Sequence, residues 1–454
     1  MPSLLRFTGI AALCFSTSLL IFPTLQSVRA EPTYSNVILL DQGWSDEDRL
    51  RYYFTSQGSA AMSYDIFLKL ETANSSALFR SSANVEQFGL VPFPADPKYN
   101  PDGLPIGLTK TSVPDGRWKG EWVGLGCAAC HNGLIEYKSA RISISGGTAA
   151  NLDIYAFLHA LDGALSATAN DASKFDRLAA KIGGSKDSLR QRLAEDAAAI
   201  SEYVNLTALT ATPAGPGRMD ALGLIHNQVQ ARWLGVPQNW RAPLAPAKPS
   251  FVWNIPQSAW AQWSGVLSDP ILRNVGEVLG VFARLDLTSK STADGLFEST
   301  TDIRGLIESE ALLRRLAPPK WPEEVLGKID GEKAAVGRTV FNKNCSSCHS
   351  AWPHRWSEPR KQGKRFIENA IVMTDVIGTD PGQFRSPQFD FLPTLTTGPM
   401  ANQLPPPDTG AALFSPALTF RSAIQANIFE TAMGKLGLND EERLSAHGYG
   451  PFHP

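Results

Sequence analysis

The chain has 454 residues, more than one ordinary domain core holds, so its length predicts two domains. Hydrophobic residues make up 43% and charged residues 19%, a composition typical of globular proteins. The formal net charge of -2 shows no basic excess and gives no indication of a nucleic-acid partner.

The first thirty residues have the pattern of a secretory signal peptide. Arg6 supplies the positive charge, and an apolar run, FTGIAALCFSTSLLIF, follows it. Val28-x-Ala30 then matches a small-residue cleavage site, which predicts a mature chain that starts at Glu31. A retained membrane anchor is the alternative, but the apolar run is short for a span and Pro23 follows it. No later segment of the sequence is long and apolar enough to cross a bilayer.

Two motifs of the form C-x-x-C-H contain all four cysteines that remain after Cys14 is removed with the leader. The first is GLGCAACHNG, residues 124–133, and the second is NKNCSSCHSA, residues 342–351. This is the attachment signature of c-type haem. Two thiols about one helical turn apart can add to the two vinyl groups of one porphyrin, and the adjacent histidine becomes the proximal iron ligand. The sequence therefore predicts two covalent haems. Their ligands are Cys127, Cys130 and His131 at one site and Cys345, Cys348 and His349 at the other.

Disulfides, zinc and a redox dithiol are the alternatives for these cysteines. Two disulfides would leave the histidine after each pair to coincidence. A zinc site needs four ligands, and each motif offers three. A thioredoxin-like dithiol would stand in a βαβ setting, which is not visible in the sequence.

The apolar spacing predicts a mainly α fold of two cytochrome c-like haem domains. DIYAFLHALDGALSA and KDSLRQRLAEDAAAISEYV have helical periodicity, and they are joined by long Gly- and Pro-rich loops such as PFPADPKYNPDGLP. No strand alternation long enough for a large sheet is visible. The prolines of LAPPKWPEEVLGKIDGEK, residues 316–333, predict a junction. We therefore expect an N-terminal haem domain at 31–320, enlarged by extra helices, and a C-terminal haem domain at 321–454.

The stretch before the second motif places Gly337, Phe341 and Cys345 on one helix face. It strongly resembles the Gly-x-x-x-aromatic helix of class I cytochromes c, in which the glycine lets a C-terminal helix cross closely. The resemblance implies that the late helix in ALTFRSAIQANIFETAMGKLG crosses at Gly337.

Eight segments between the N-terminal part and the late helix follow one another in a recognisable order. They are YYFTSQGSAAMSYDIFLKLE, NPDGLPIGLTK, WVGLGCAACHNG, GPGRMDALGLIHNQV, VWNIPQSAWAQWSG, RNVGEVLGVFA, PPKWPEEVLGKID and VIGTDP. Together they resemble the di-haem cytochrome c peroxidase-like family that includes the rubber oxygenases, from about residue 45 to about residue 435. That family is a relative of the bacterial di-haem peroxidases and of the methylamine-utilisation di-haem enzyme.

The resemblance implies that the N-terminal haem, on His131, is the reaction centre and that the C-terminal haem handles electrons. It places Trp253, Trp260 and Trp263 in the segment that lines the space between the haems. Of these, we take Trp253 and Trp263 as candidate catalytic residues. Tryptophans in such positions are also common packing residues.

Three more residues are implied by the segment RNVGEVLGVF. Arg273 and Glu277 would be polar groups and Phe282 an apolar wall of the reactive site. The alternatives are purely structural roles: Arg273 and Glu277 would pair on a helix surface, and Phe282 would be a core residue. His159 and His226 lie on helix-like segments, where a histidine is more often a packing residue than a ligand.

The chain departs from the family pattern at its C-terminal end. It lacks a segment like A-P-Y-L-H-N-G-S, whose histidine can be the distal ligand of the second haem. Met400 is our candidate for that ligand, because it lies in a proline-bounded loop like the one that presents methionine in class I cytochromes. The other candidates are Met373, His354, His447 and His453.

The sequence thus predicts a periplasmic or secreted di-haem oxidoreductase. Its N-terminal haem would activate peroxide or dioxygen, and its C-terminal haem would exchange electrons with a redox protein or a small donor. A two-haem electron relay without substrate chemistry is the alternative. An oxidisable organic substrate and a calcium ion between the domains remain open as partner and cofactor.

Overall fold

The computed structural model describes residues 37–148, 151–208, 214–244, 246–262, 265, 267–349, 353–359, 363–382 and 416–437. For 416–423 it describes the backbone alone. The predicted leader, Trp263, Met400, His447 and His453 lie outside these ranges.

In the described part of the chain, six short strands form two three-stranded sheets, so the prediction of a mainly α fold is wrong and the fold is mixed. The strands are β1 (Val37–Leu39), β2 (Met62–Ser63), β3 (Leu108–Val113), β4 (Gly120–Leu125), β5 (Asn132–Tyr137) and β6 (Ala140–Ser145). In one sheet β1 pairs in parallel with β6, which pairs antiparallel with β5. In the other, β4 lies between β2 and β3 in antiparallel register.

The helices make up most of the remaining regular structure. Those of the first half are α1 (Asp46–Phe54), α2 (Tyr64–Lys69), α3 (Ser82–Glu86), α4 (Cys127–Cys130), α5 (Ile154–Asn170), α6 (Ala172–Ile182) and α7 (Lys186–Thr207). Those of the second half are α8 (Ala221–His226), α9 (Pro270–Gly280), α10 (Ile303–Leu313), α11 (Glu323–Leu326), α12 (Gly331–Asn344), α13 (Thr374–Ile377) and α14 (Pro416–Lys435). A π-helix, Asn227–Trp233, continues α8, and short 3₁₀ helices occupy Pro237–Asn239, Ile255–Gln257 and Thr292–Asp294.

The two helices predicted from apolar spacing are confirmed as α5 and α7. Each begins at a polar N-cap, because Asp153 accepts from the amide of Ala156 and Ser185 from that of Ser188. The apolar faces of α5, α6 and α7 pack into the larger core together with the second sheet and α1. This core also holds the first cysteine motif.

A smaller core forms where α9, α10 and α14 meet. Ile424, Ile428 and Phe429 of α14 are buried against Val275 and Leu279 of α9. The close approach is made at Gly276, because a Cβ there would overlap the side-chain amide of Gln425. The late helix therefore packs on α9 and α10.

Helix α12, which leads to the second motif, does not show the expected crossing at Gly337. Among the described residues, no atom lies within 4 Å of where a Cβ of Gly337 would be. None of the residues of α12 is buried, and Val336 and Val340 are 66% and 53% exposed. The glycine that permits a close helix packing is Gly276, and the expectation for Gly337 is wrong for this arrangement. The domain boundary at 320/321 falls between α10 and α11 and stays a prediction.

Candidate functional site

The first C-x-x-C-H motif lies where the chain passes from one sheet to the other. Strand β4 ends at Leu125, the single turn α4 contains both cysteines, and β5 of the other sheet begins at Asn132. Gly126 enters the turn next to the methyl group of Thr109, where a Cβ would lie within 2.7 Å of it. Two strands in two different sheets thus hold the motif rigidly at both ends.

The two motifs adopt the same local turn. In the first, the amide of His131 donates to the carbonyl oxygen of Cys127 at 2.9 Å, and in the second the amide of His349 donates to that of Cys345 at 2.9 Å. All four cysteines are free thiols. Positions i and i+3 of a helical turn share one face, so each pair of thiols is arranged as attachment to one porphyrin requires.

The imidazole of His131 is fixed by a backbone group far away in the sequence. Nδ1 lies 2.7 Å from the carbonyl oxygen of Ser250. A carbonyl can only accept, so Nδ1 carries the proton and Nε2 has the free lone pair. Burial lowers the pKa of His131 to about 4, although the bond to Ser250 opposes this, so the ring is neutral at pH 7. Ligating histidines are commonly oriented by such a bond, and the residues present fit an iron ligated by Nε2.

The surroundings of the first motif favour neutral thiols. Burial raises the pKa of Cys127 and of Cys130 to about 12. Next to them, the hydroxyl of Tyr52 donates to the carbonyl oxygen of His131 at 3.2 Å, and Gln57 lies 3.8 Å from the sulfur of Cys127. Both thiols are therefore protected from ionisation, and Cys127 also has a polar contact with Gln57.

A buried charged cluster lies close enough to influence Cys127 and His131 electrostatically. Arg273 donates to Glu310 Oε1 at 2.7 Å, and Asn274 donates to the same oxygen at 2.7 Å. The side chain of Arg273 is 8% exposed and that of Glu310 is 0% exposed. Glu277 lies 3.7 Å from Arg273 and is 43% exposed.

The alternative pair of Arg273 and Glu277 is present at 3.7 Å, but it is not a surface pair, because Arg273 is buried and its closest carboxylate is Glu310. Sequence reasoning missed Glu310. The sequence feature that could have indicated Glu310 was its position on the apolar face of α10, where a buried carboxylate needs a partner.

Phe282 is a core residue with an unusual backbone. Its φ is 71°, a conformation that is costly for a bulky side chain. Two hydrogen bonds stabilise this turn. The hydroxyl of Tyr203 donates to the carbonyl oxygen of Gly280 at 2.6 Å, and the amide of Ala60 donates to the carbonyl oxygen of Phe282 at 3.0 Å. The ring of Phe282 stacks on Tyr203 with centroids 3.9 Å apart, and Cys130 is among the groups that raise the pKa of Tyr203.

One of the three predicted tryptophans lies on the segment whose Ser250 accepts the hydrogen bond from His131. Trp253 is half-buried, packs against the larger core, and stacks on Phe251 with centroids 4.7 Å apart and planes 11° apart. It follows Ser250 by three positions, and Val252 between them donates to the carbonyl oxygen of Gly146 at 2.9 Å. Trp260 is half-buried.

The histidines considered as alternative ligands lie apart from this arrangement. His159 is exposed on α5. His226 is buried at the end of α8 with Nε2 3.0 Å from the carbonyl oxygen of Asn239.

The second motif is far more open than the first. Cys345 is half-buried, whereas Cys348 and His349 are exposed. Val336 and Val340, one helical turn apart on α12, expose apolar surface on the approach to Cys345. A flat apolar group attached at Cys345 and Cys348 would cover such surface, so the residues fit a haem here as well. Met373 is 69% exposed.

No gathering of three or more His, Cys, Asp or Glu side chains suited to a metal ion occurs in the described ranges. The suggestion of calcium stays a prediction. Within the same ranges, no helix has the length and apolarity that a membrane crossing requires.

Comparison with known proteins gives one informative relative. The chain is 30% identical over 401 residues to an uncharacterised protein, y4iJ, of Sinorhizobium fredii (strain NBRC 101917 / NGR234). The match covers 78% of this chain and 66% of that protein, so the chain spans slightly less than two thirds of its relative. No protein-family model matches the chain, and no solved structure matches it.

Proposed function

We propose that the chain is an exported di-haem c-type cytochrome that acts as an oxidoreductase. The observation that carries the proposal is the geometry of the first motif. Two half-buried thiols lie on one turn, and a neutral His131, tied to Ser250 through Nδ1, has Nε2 free to bind iron. The same turn at Cys345–His349 supports a second haem.

Each residue of the first site has a distinct task in this proposal. Cys127 and Cys130 hold the porphyrin covalently, and His131 orients the iron. A haem in this site would supply the redox chemistry with peroxide or dioxygen. The buried pair of Arg273 and Glu310 provides fixed charges nearby, and the strained Phe282 presents a rigid apolar surface that limits access of water.

The contrast in burial between the two motifs supports a division of labour. The first is half-buried and packs against the larger core, whereas Cys348 and His349 of the second are exposed. An enclosed site suits substrate chemistry, and an open site suits electron exchange with a partner. The stacked rings of Trp253 and Phe251, on the segment that orients His131, are the candidates for assisting electron transfer.

The test is a set of absorption and EPR spectra of the oxidised and reduced protein with added cyanide or carbon monoxide. We expect an exogenous ligand to bind one iron and this binding to vanish in Cys127→Ala/Cys130→Ala. Cys345→Ala/Cys348→Ala is the matched control and should retain it. If no added ligand binds either iron in any redox state, the protein is an electron relay.

A further inference from the structure

Glu310 is a fully buried carboxylate on α10, and helix α1 connects it to the first motif. Helix α1 contacts α10 through the ion pair of Arg51 with Glu308 at 2.7 Å. On the same helix, the hydroxyl of Tyr52 donates to the carbonyl oxygen of His131 at 3.2 Å. Burial raises the pKa of Tyr52, and the charge of Glu310 adds to this. The carboxylate is therefore close enough to act on groups that contact the proposed iron ligand.

Arg273 and Asn274 keep Glu310 ionised. Oε1 of Glu310 accepts from Nη2 of Arg273 at 2.7 Å and from Nδ2 of Asn274 at 2.7 Å. Burial raises the pKa of Glu310, and the charges of Arg273 and Arg314 and the bond to Asn274 oppose this. The guanidinium of Arg273 is always charged, and Glu277 is 3.7 Å from it and 43% exposed. A neutral Glu310 would remove the closest counter-charge of a buried cation, which is costly.

The other oxygen of Glu310 leaves part of the negative charge without a hydrogen-bond donor. Oε2 is buried and has no hydrogen-bond partner among the described residues. Burial raises the pKa of Cys127 to about 12; Glu277 and Glu310 add to this, and Arg273 opposes it. At His131, the charge of Arg273 adds to burial in lowering the pKa to about 4. At Cys127, two carboxylates thus act against one guanidinium group.

We propose that Glu310 sets the reduction potential of the iron bound by His131, because its ionised carboxylate is buried close to that site. The inference rests on the proposed function, since it concerns the haem on Cys127 and Cys130. A negative charge stabilises ferric iron more than ferrous iron, and a buried charge is screened little by salt or water. Glu310 therefore lowers the potential and favours the ferric state at rest. Arg273 is the positioning residue that keeps the carboxylate ionised.

The experiment is a spectroelectrochemical titration of the haem-loaded full chain at pH 7. Glu310→Gln removes the charge and retains the size of the side chain and an oxygen acceptor. We expect the equilibrium constant for reduction of the first haem to increase about tenfold, a rise of about 59 mV for a one-electron couple. The potential of the second haem should not change. Cys345→Ala/Cys348→Ala, which keeps the first haem alone, assigns the two potentials.

Glu308→Gln is the matched control. Glu308 lies two positions away on the same helix, and its carboxylate is half-exposed in its pair with Arg51. Solvent and salt screen such a charge, so this variant should change the equilibrium constant by less than about twofold.

Two further variants keep the proposal falsifiable if Glu310→Gln fails to fold. Glu277→Gln removes the half-exposed carboxylate of the same cluster and should increase the equilibrium constant by about two- to fivefold. Glu310→Asp retains the charge and should give a potential close to that of the unmodified chain. An unchanged potential of the first haem in Glu310→Gln and in Glu277→Gln, or an equal shift of both haems, would overturn the proposal.

The same samples distinguish failure of this inference from failure of the proposed function. A chain whose intact mass shows no haem on Cys127 and Cys130 would refute both. A chain that has haem on these cysteines, but whose first potential does not respond to Glu310→Gln, would refute the role of Glu310 alone.

Discussion

His131 and Ser250 are joined by a hydrogen bond of 2.7 Å between Nδ1 and the backbone carbonyl oxygen, across 119 positions of sequence. A backbone acceptor cannot be lost through a side-chain substitution, and Ser250 is itself positioned by the neighbouring bond between Val252 and Gly146. The same segment contains Trp253, so the orientation of the histidine and the placement of the tryptophan depend on one piece of backbone.

The first prediction concerns this tryptophan. Trp253→Phe keeps an aromatic ring but removes the more easily oxidised indole, so electron exchange between the haems should slow severalfold while cyanide binding is unchanged. Stopped-flow spectroscopy after rapid reduction measures both. Trp321→Phe is the control, because Trp321 is 52% exposed and its indole bonds to Gly327. Equal exchange rates in the two variants would remove Trp253 from the route.

The second prediction concerns the buried pair of Arg273 and Glu310. Glu310→Ala leaves the Arg273 charge buried without its carboxylate and should lower the free energy of unfolding by about 3–5 kcal/mol. Urea denaturation measures this. Glu308→Ala, two positions away on α10, removes a half-exposed pair with Arg51 and should cost less than about 1 kcal/mol. Similar losses in both variants would contradict the assignment of a buried ion pair.

Sequence reasoning could predict the elements whose residues carry a local signal. The spacing in both cysteine motifs is such a signal, and so is the helical periodicity of α5 and α7. The short strands were missed, because each is six residues or fewer and pairs with a partner that the sequence does not mark. The alternation Ile142, Ile144 in β6 was the available hint of a half-buried strand.

Tertiary partners could not be predicted, because they depend on which residues meet after folding. Glu310, on another helix, is the closest partner of Arg273, in addition to Glu277 one turn away. Likewise, Gly276 in α9 and Gly337 in α12 both interrupt a helix, so the sequence does not distinguish them. Only the packing shows that α14 approaches closely at Gly276.

The third prediction uses that distinction. Gly337 lies in the interior of an exposed helix with open space beside it, so Gly337→Ala should raise the free energy of unfolding by about 0.5–1 kcal/mol through helix propensity. Chemical denaturation of the haem-loaded protein measures the change. A loss of stability would instead show that a neighbouring helix crosses at Gly337, as the resemblance to class I cytochromes implied.

The fourth prediction is a pH dependence of stability at Asp196. Burial raises the pKa of this carboxyl from 3.8 to about 6, although it accepts the amide of Ser63. Between about pH 4 and 6 the folded state therefore keeps a proton on Asp196 that the unfolded state has released. This difference stabilises the fold at low pH, and the stabilisation is lost as the pH rises through this window. The stability of the unmodified protein relative to Asp196→Asn should fall by up to about 3 kcal/mol from pH 4 to pH 7.

Urea denaturation of both proteins across this pH range checks the prediction. Asp115→Asn, at an exposed position, is the control for the loss of one carboxyl group. A difference between the unmodified protein and Asp196→Asn that does not vary with pH would contradict the prediction.

The central claim is covalent attachment of two haems, and the most direct measurement is the intact mass of the protein made with a cytochrome c maturation system, after extraction with acid and acetone. We predict the mass of the chain plus two haems, and the mass of one haem less in each of Cys127→Ala/Cys130→Ala and Cys345→Ala/Cys348→Ala. A chain that has no added mass, with its four thiols still free to react with an alkylating reagent, would contradict the account.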